Sequence, residues 1–161
     1  MTTQSASPAP LLVFGWGNAS RGDDALGPLC IERLCARQVS GPRVEYLDDY
    51  QLQIEHALDL VGRERVLFVD ASLNCAAPFE VTLLGAGRDA HIISHALSPQ
   101  ALLHVFVDLH GGLPPPCTLL AIRGERFELG EPPSAGALSH LDAAVRWASA
   151  WLTASVTEPG S

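Results

Sequence analysis

The chain has 161 residues, with 18 acidic against 10 basic side chains and a formal charge of −8, and every basic residue is an arginine. That balance repels polyanions, so nucleic acid and anionic membrane surfaces are excluded as partners. The length fits one domain whose core needs neither disulfides nor a structural metal.

Residues 1–9 read as a disordered leader, 10–155 as a single α/β domain and 156–161 as a flexible tail, from their Ser, Thr, Pro and Gly content. Leu11 to Phe14 form an apolar strand running into Gly15-Trp16-Gly17-Asn18, and Asp23-Asp24 then stand where an amphipathic helix begins, with Leu26, Leu29, Cys30 and Leu34 at helical spacing. The third glycine of a dinucleotide fingerprint would fall at Ser20, no lysine follows, and two carboxylates occupy the place of a phosphate. A cation is the better guest for this loop. Helix capping accounts for one of the two aspartates, at roughly 0.3 to 1 kcal/mol.

Val44 to Asp48 alternate as a second strand, and Leu52 to Val61 predict a short helix. Arg65 to Asp70 hold four consecutive apolar residues and end in a carboxylate, as a central parallel strand would. Residues 79–84 follow too closely for a helical crossover and are expected to run antiparallel. Ser98 and Pro99 start a helix over 98–109, 117–122 are the fifth strand, and the last helix covers 138–154. The architecture is therefore a three-layer α/β fold: a mixed, mostly parallel, five-stranded twisted sheet with helices on both faces.

Strands joined by crossover helices place their carboxyl ends along one sheet edge, where open α/β folds build their sites. Three of those ends are acidic here: the loop with Asp23-Asp24, Asp48-Asp49, and Asp70. Asp48 or Asp49 has a plain role as a cap for residues 51–61, whereas no helix starts directly after Asp70. His95 precedes the 98–109 helix in a loop; His56, His91, His104, His110 and His140 read as solvated. The four cysteines lack metal or redox spacing and read as buried thiols of a reducing cytoplasm. No signal peptide or apolar run of about 18 residues is present, so a soluble cytoplasmic protein is expected.

Gly15-Trp16-Gly17-Asn18 with Asp23-Asp24-Ala25-Leu26-Gly27, the strand ending in Asp70-Ala71, and Ser94-His95 together resemble the hydrogenase maturation proteases. These endopeptidases trim the C-terminal extension from the large subunit of nickel-iron hydrogenases. The stretch from Asp49 to Leu60 departs from the D-G-G-T turn of the best-known members and looks like the branch serving NAD-reducing or bidirectional hydrogenases.

The resemblance implies that Asp24, Asp70 and His95 contact nickel, a mixed O/N set suited to a borderline divalent ion. The nickel is supplied by the substrate, the immature large subunit, with no tightly bound resident cofactor. It would position the scissile segment and polarise the peptide carbonyl or a water, while Asp23 or Asp48 assists proton transfer. Two other function classes share this ligand set: a non-catalytic, nickel-dependent checkpoint or chaperone of hydrogenase assembly, and a hydrolase with resident metal. Peptidyl-tRNA hydrolases also open on G-x-G-N, but they need a basic face this chain lacks. Neither nucleophile-elbow spacing nor HExxH occurs.

Overall fold

A computed structural model describes residues 7–38, 41–85 and 97–156. Strands β1 (Leu11–Trp16), β2 (Val44–Asp49), β3 (Arg65–Ser72), β4 (Phe79–Leu84) and β5 (Cys117–Arg123) form one sheet in the order β2-β1-β3-β5-β4. All neighbours pair parallel except β4 with β5, which is antiparallel, as the short link after Asp70 predicts. The helices are α1 (Leu26–Arg37), α2 (Pro99–His110) and α3 (Ala135–Val156). Ile54–Leu60 is a 3-10 helix, a tighter coil than the α-helical turn its spacing suggests.

Side chains alternate across each strand and so divide the core in two. Leu11, Val13 and Val69 meet Leu34 of α1 and Leu141 and Val145 of α3, whereas Leu12, Phe14 and Phe68 meet Leu102 and Phe106 of α2 and Leu60 of the 3-10 helix. Burying Phe14 and Phe68 completely contributes roughly 2 to 3 kcal/mol each. Ser98 caps α2, its Oγ accepting from the Ala101 amide at 3.0 Å. Trp147 and Trp151 of α3 belong to the core rather than to a cofactor site. Cys30, Cys75 and Cys117 are buried thiols, but Cys35 is exposed because it falls on the outer edge of α1. Ala9, assigned to the leader, is tied to the domain by Arg63, whose Nη1 donates to its carbonyl at 2.8 Å. Among the described residues no helix is long and apolar enough to cross a membrane.

Strand β1 and helix α1 touch backbone to backbone. A Cβ on Gly15 would lie 2.6 Å from the Gly27 carbonyl oxygen and 2.7 Å from Ile31 Cγ1, and one on Gly27 would collide with the Trp16 carbonyl. No side chain fits between them. Gly27→Ala is accordingly expected to lower unfolding free energy by about 2 to 3 kcal/mol in denaturant titration. Gly112→Ala, at a position with no heavy atom within 4 Å, should leave it unchanged.

Candidate active site

The registers set Gly15 of β1 level with Asp48 of β2 and Val69 of β3, so the carboxyl ends of the three strands share one edge. Beyond Trp16 the chain turns back on itself. Gly17, at φ +151°, leaves space that any Cβ would take from the Asp24 carbonyl. Its amide still donates to the Asp49 carbonyl at 3.1 Å, holding the loop over the edge.

Asp23 and Asp24 lie in a 3-10 turn, Gly22–Ala25, and neither caps α1. Asp23 is completely buried. Its Oδ2 accepts from the amides of Glu125 (2.7 Å) and Arg126 (3.0 Å) and from Ser134 Oγ (2.8 Å), and its Oδ1 accepts from the Ser134 amide (2.6 Å). Burial pushes this carboxyl up, but the donors of Ser134, Arg126 and Glu125 outweigh it and hold it below the usual aspartate range. The residue clamps the loop between β5 and α3 against the acidic loop, so its oxygens are spent on structure.

Asp24 does the opposite. Its Oδ2 accepts from the Asn18 amide at 2.8 Å, and it lines a cleft of about 360 Å³ together with Asp70, Trp16, Tyr50, Arg21 and Phe127. Asp70 shares a strand face with Phe68, so it emerges on the α2 side of the sheet. Its Oδ1 accepts from the Ala71 amide at 2.8 Å. Burial raises its pKa to about 7, the Ala71 amide works against that rise and the nearby Asp24 charge adds to it.

Asp48 is not part of this cleft. It shares strand parity with Val44 and Tyr46 and faces α1, lining a second cleft of about 630 Å³ beside Glu32 and Leu29. Two of the carboxylates expected at the chemistry, Asp24 and Asp70, are thus brought together; Asp23 and Asp48 are not. His95 and His91 lie outside the described residues. Among the described residues no trio of His, Cys, Asp and Glu is placed to hold a metal ion, so the described part of the implied nickel set is a pair of carboxylates.

Asp49, one residue on from Asp48, faces the α2 side but caps nothing. Its Oδ1 accepts from the Tyr50 amide at 2.6 Å and its Oδ2 from His56 Nε2 at 3.0 Å. His56 is not the solvated residue the sequence suggests: its Nδ1 accepts the Gln53 amide at 2.8 Å and its ring meets Phe14 edge-on at 4.5 Å. His140 is likewise engaged, Nδ1 bonding the Arg123 carbonyl at 2.9 Å, while His104 and His110 are exposed. Sequence reasoning also passed over Tyr50 and Arg21. Tyr50 reaches Asn18 across 32 positions, a contact no local pattern announces.

Two stability predictions come from these carboxylates. Asp23→Ala strands three amides, that of Ser134 fully buried, together with the Ser134 hydroxyl, and should cost about 3 kcal/mol in denaturant titration. With its folded pKa depressed, Asp23 stabilises the wild type above the ordinary value of 3.8 and that contribution is lost as pH falls through the lower folded value. Asp70 has the reverse sign. The unfolded chain releases its proton near 3.8 and the folded chain near 7, so wild-type stability declines between those limits. Asp70→Asn escapes the decline, and its unfolding free energy in denaturant titration should gain on the wild type as pH rises across that interval, by up to roughly 4 kcal/mol at the plateau.

No protein-family model matches the sequence, and no curated protein does. Solved structures do match. The hydrogenase maturating endopeptidase HybD from Escherichia coli superposes with a TM-score of 0.73 at 23% identity, over 90% of this chain and 93% of its own. The nickel-iron hydrogenase maturation protease HycI from Thermococcus kodakarensis gives 0.70 at 22%, with the same coverage. The hydrogenase 2 maturation peptidase from a Thaumarchaeota archaeon gives 0.65 at 23%, over 88% and 97%. The chain shares with these proteins the five-stranded, mostly parallel α/β fold, over nearly its whole length.

Proposed function

We propose that this protein is a hydrogenase maturation endopeptidase that removes the C-terminal extension from the nickel-loaded precursor of a nickel-iron hydrogenase large subunit. The observation that carries this is the placement of Asp24 and Asp70 on one cleft, at the carboxyl ends of β1 and β3, in a fold shared with enzymes that are endopeptidases of hydrogenase maturation. The sequence pattern adds His95 as the third contact and the NAD-reducing or bidirectional hydrogenases as the branch served, with the cytoplasm as the place of action.

Charge explains how such a cleft selects a loaded client. Burial and the neighbouring Asp24 keep Asp70 from ionising fully near neutral pH. A divalent ion carried in on the client's thiolates relieves both costs at once, because it replaces the Asp70 proton and neutralises the repulsion between the carboxylates. A nickel-free client brings no such gain. The nickel belongs to the substrate, and once held it fixes the scissile segment against the cleft.

The test is cleavage of purified precursor by purified protein. Nickel-loaded precursor should be shortened at its C terminus and nickel-free precursor left intact, with Asp24→Asn, Asp70→Asn and His95→Ala each slowing the reaction by about 100-fold or more. Loaded and empty precursors cut alike would remove the nickel requirement. Binding of the loaded form without cleavage would make the protein a checkpoint instead of a protease.

A further inference from the structure

Tyr50 is an exposed tyrosine, 62% accessible, held from both ends. Its backbone amide donates to Asp49 Oδ1, and Asp49 is fixed in turn by His56 Nε2. Because His56 Nδ1 accepts the Gln53 amide, the ring carries its proton on Nε2 and the Asp49 contact is a donated hydrogen bond. At the other end the phenol oxygen accepts from Asn18 Nδ2 at 2.9 Å. The orientation of that amide is not arbitrary: Asn18 Oδ1 accepts the Ser20 amide at 2.8 Å, which leaves Nδ2 toward Tyr50.

Asn18 is the shared element of the cleft. Its backbone amide holds Asp24 Oδ2 while its side chain holds the Tyr50 hydroxyl, so one residue fixes the carboxylate and the phenol relative to each other. With Asn18 acting as donor, the Tyr50 oxygen is already used as an acceptor, and among the described residues none accepts its own O–H. The ring lines the same cleft as Asp24 and Asp70.

We propose that Tyr50 is a catalytic residue whose hydroxyl donates a hydrogen bond to the carbonyl oxygen of the scissile peptide. This rests on the endopeptidase function proposed above. In hydrolysis a water oxygen bonds to the carbonyl carbon and the C=O pair moves onto oxygen. On collapse that pair returns, the C–N bond breaks, and the departing nitrogen takes up the proton the water released. Tyr50 keeps its own proton throughout. Its bond strengthens as charge develops on the oxygen, so its effect belongs to the transition state. The Asn18 bond and the Asp49-His56 support hold the donor in place before the client arrives.

The experiment compares wild type, Tyr50→Phe, and protein with a fluorinated tyrosine at position 50, on nickel-loaded precursor, with melting temperatures recorded alongside. Tyr50→Phe keeps the ring and loses only the hydroxyl. The expected result is a fall in kcat of about 100-fold with KM and melting temperature little changed. The fluorinated phenol ionises at lower pH, so its rate should acquire a new alkaline limit. An unchanged kcat in Tyr50→Phe, or a rise in KM alone, overturns the catalytic role while leaving the endopeptidase function standing. Absence of cleavage by the wild type overturns both.

Discussion

Two adjacent aspartates with opposite surroundings govern this molecule. In a 3-10 turn successive side chains leave the axis about 120° apart, so Asp23 is driven inward and Asp24 outward by the same four residues. The inward carboxylate finds three backbone amides and a serine hydroxyl, all from the stretch that joins β5 to α3. With that clamp closed, Phe127 is carried to the cleft wall and the Arg21 guanidinium reaches its carbonyl. Without the inward partner the outward one would have no fixed cleft to face.

The close approach of β1 and α1 serves the same end. Gly15 and Gly27 allow the helix to lie directly on the strand end, which keeps the intervening loop short and taut. Gly17 then permits the reversal that brings Asp24 back over the sheet edge, where the Asn18 amide holds it. Glycine therefore works here through contact between backbones.

The cleft's electrostatics follow from where strand parity sends each carboxylate. Asp70 exits on the α2 side and lines the cleft with Asp24, and burial raises its pKa to about 7. Asp48 exits on the α1 side and stands apart, while Asp49, on the α2 side, is committed to Tyr50 and His56. A chain of net charge −8 gathers its acidic groups for distinct tasks: one clamps, two face the cleft, and one props a tyrosine.

The sequence by itself determined the strands, their order along the chain, the antiparallel β4 and the cap at Ser98, because hydrophobic periodicity and turn chemistry act between near neighbours. It also pointed to the loop after β1 and to Asp70 as one candidate edge, since strand ends carrying carboxylates are visible in any α/β pattern. Only the tertiary structure decided which aspartate did what. Asp23 and Asp24 are indistinguishable as letters, and their separation rests on donors more than 100 residues away. Asp48 and Asp49 differ by a single step of the pleat, which is enough to put them on opposite faces. Tyr50 and His56 became part of the cleft's framework through side-chain bonds to Asn18, Asp49 and the Gln53 amide, and such bonds depend on packing that no local spacing encodes.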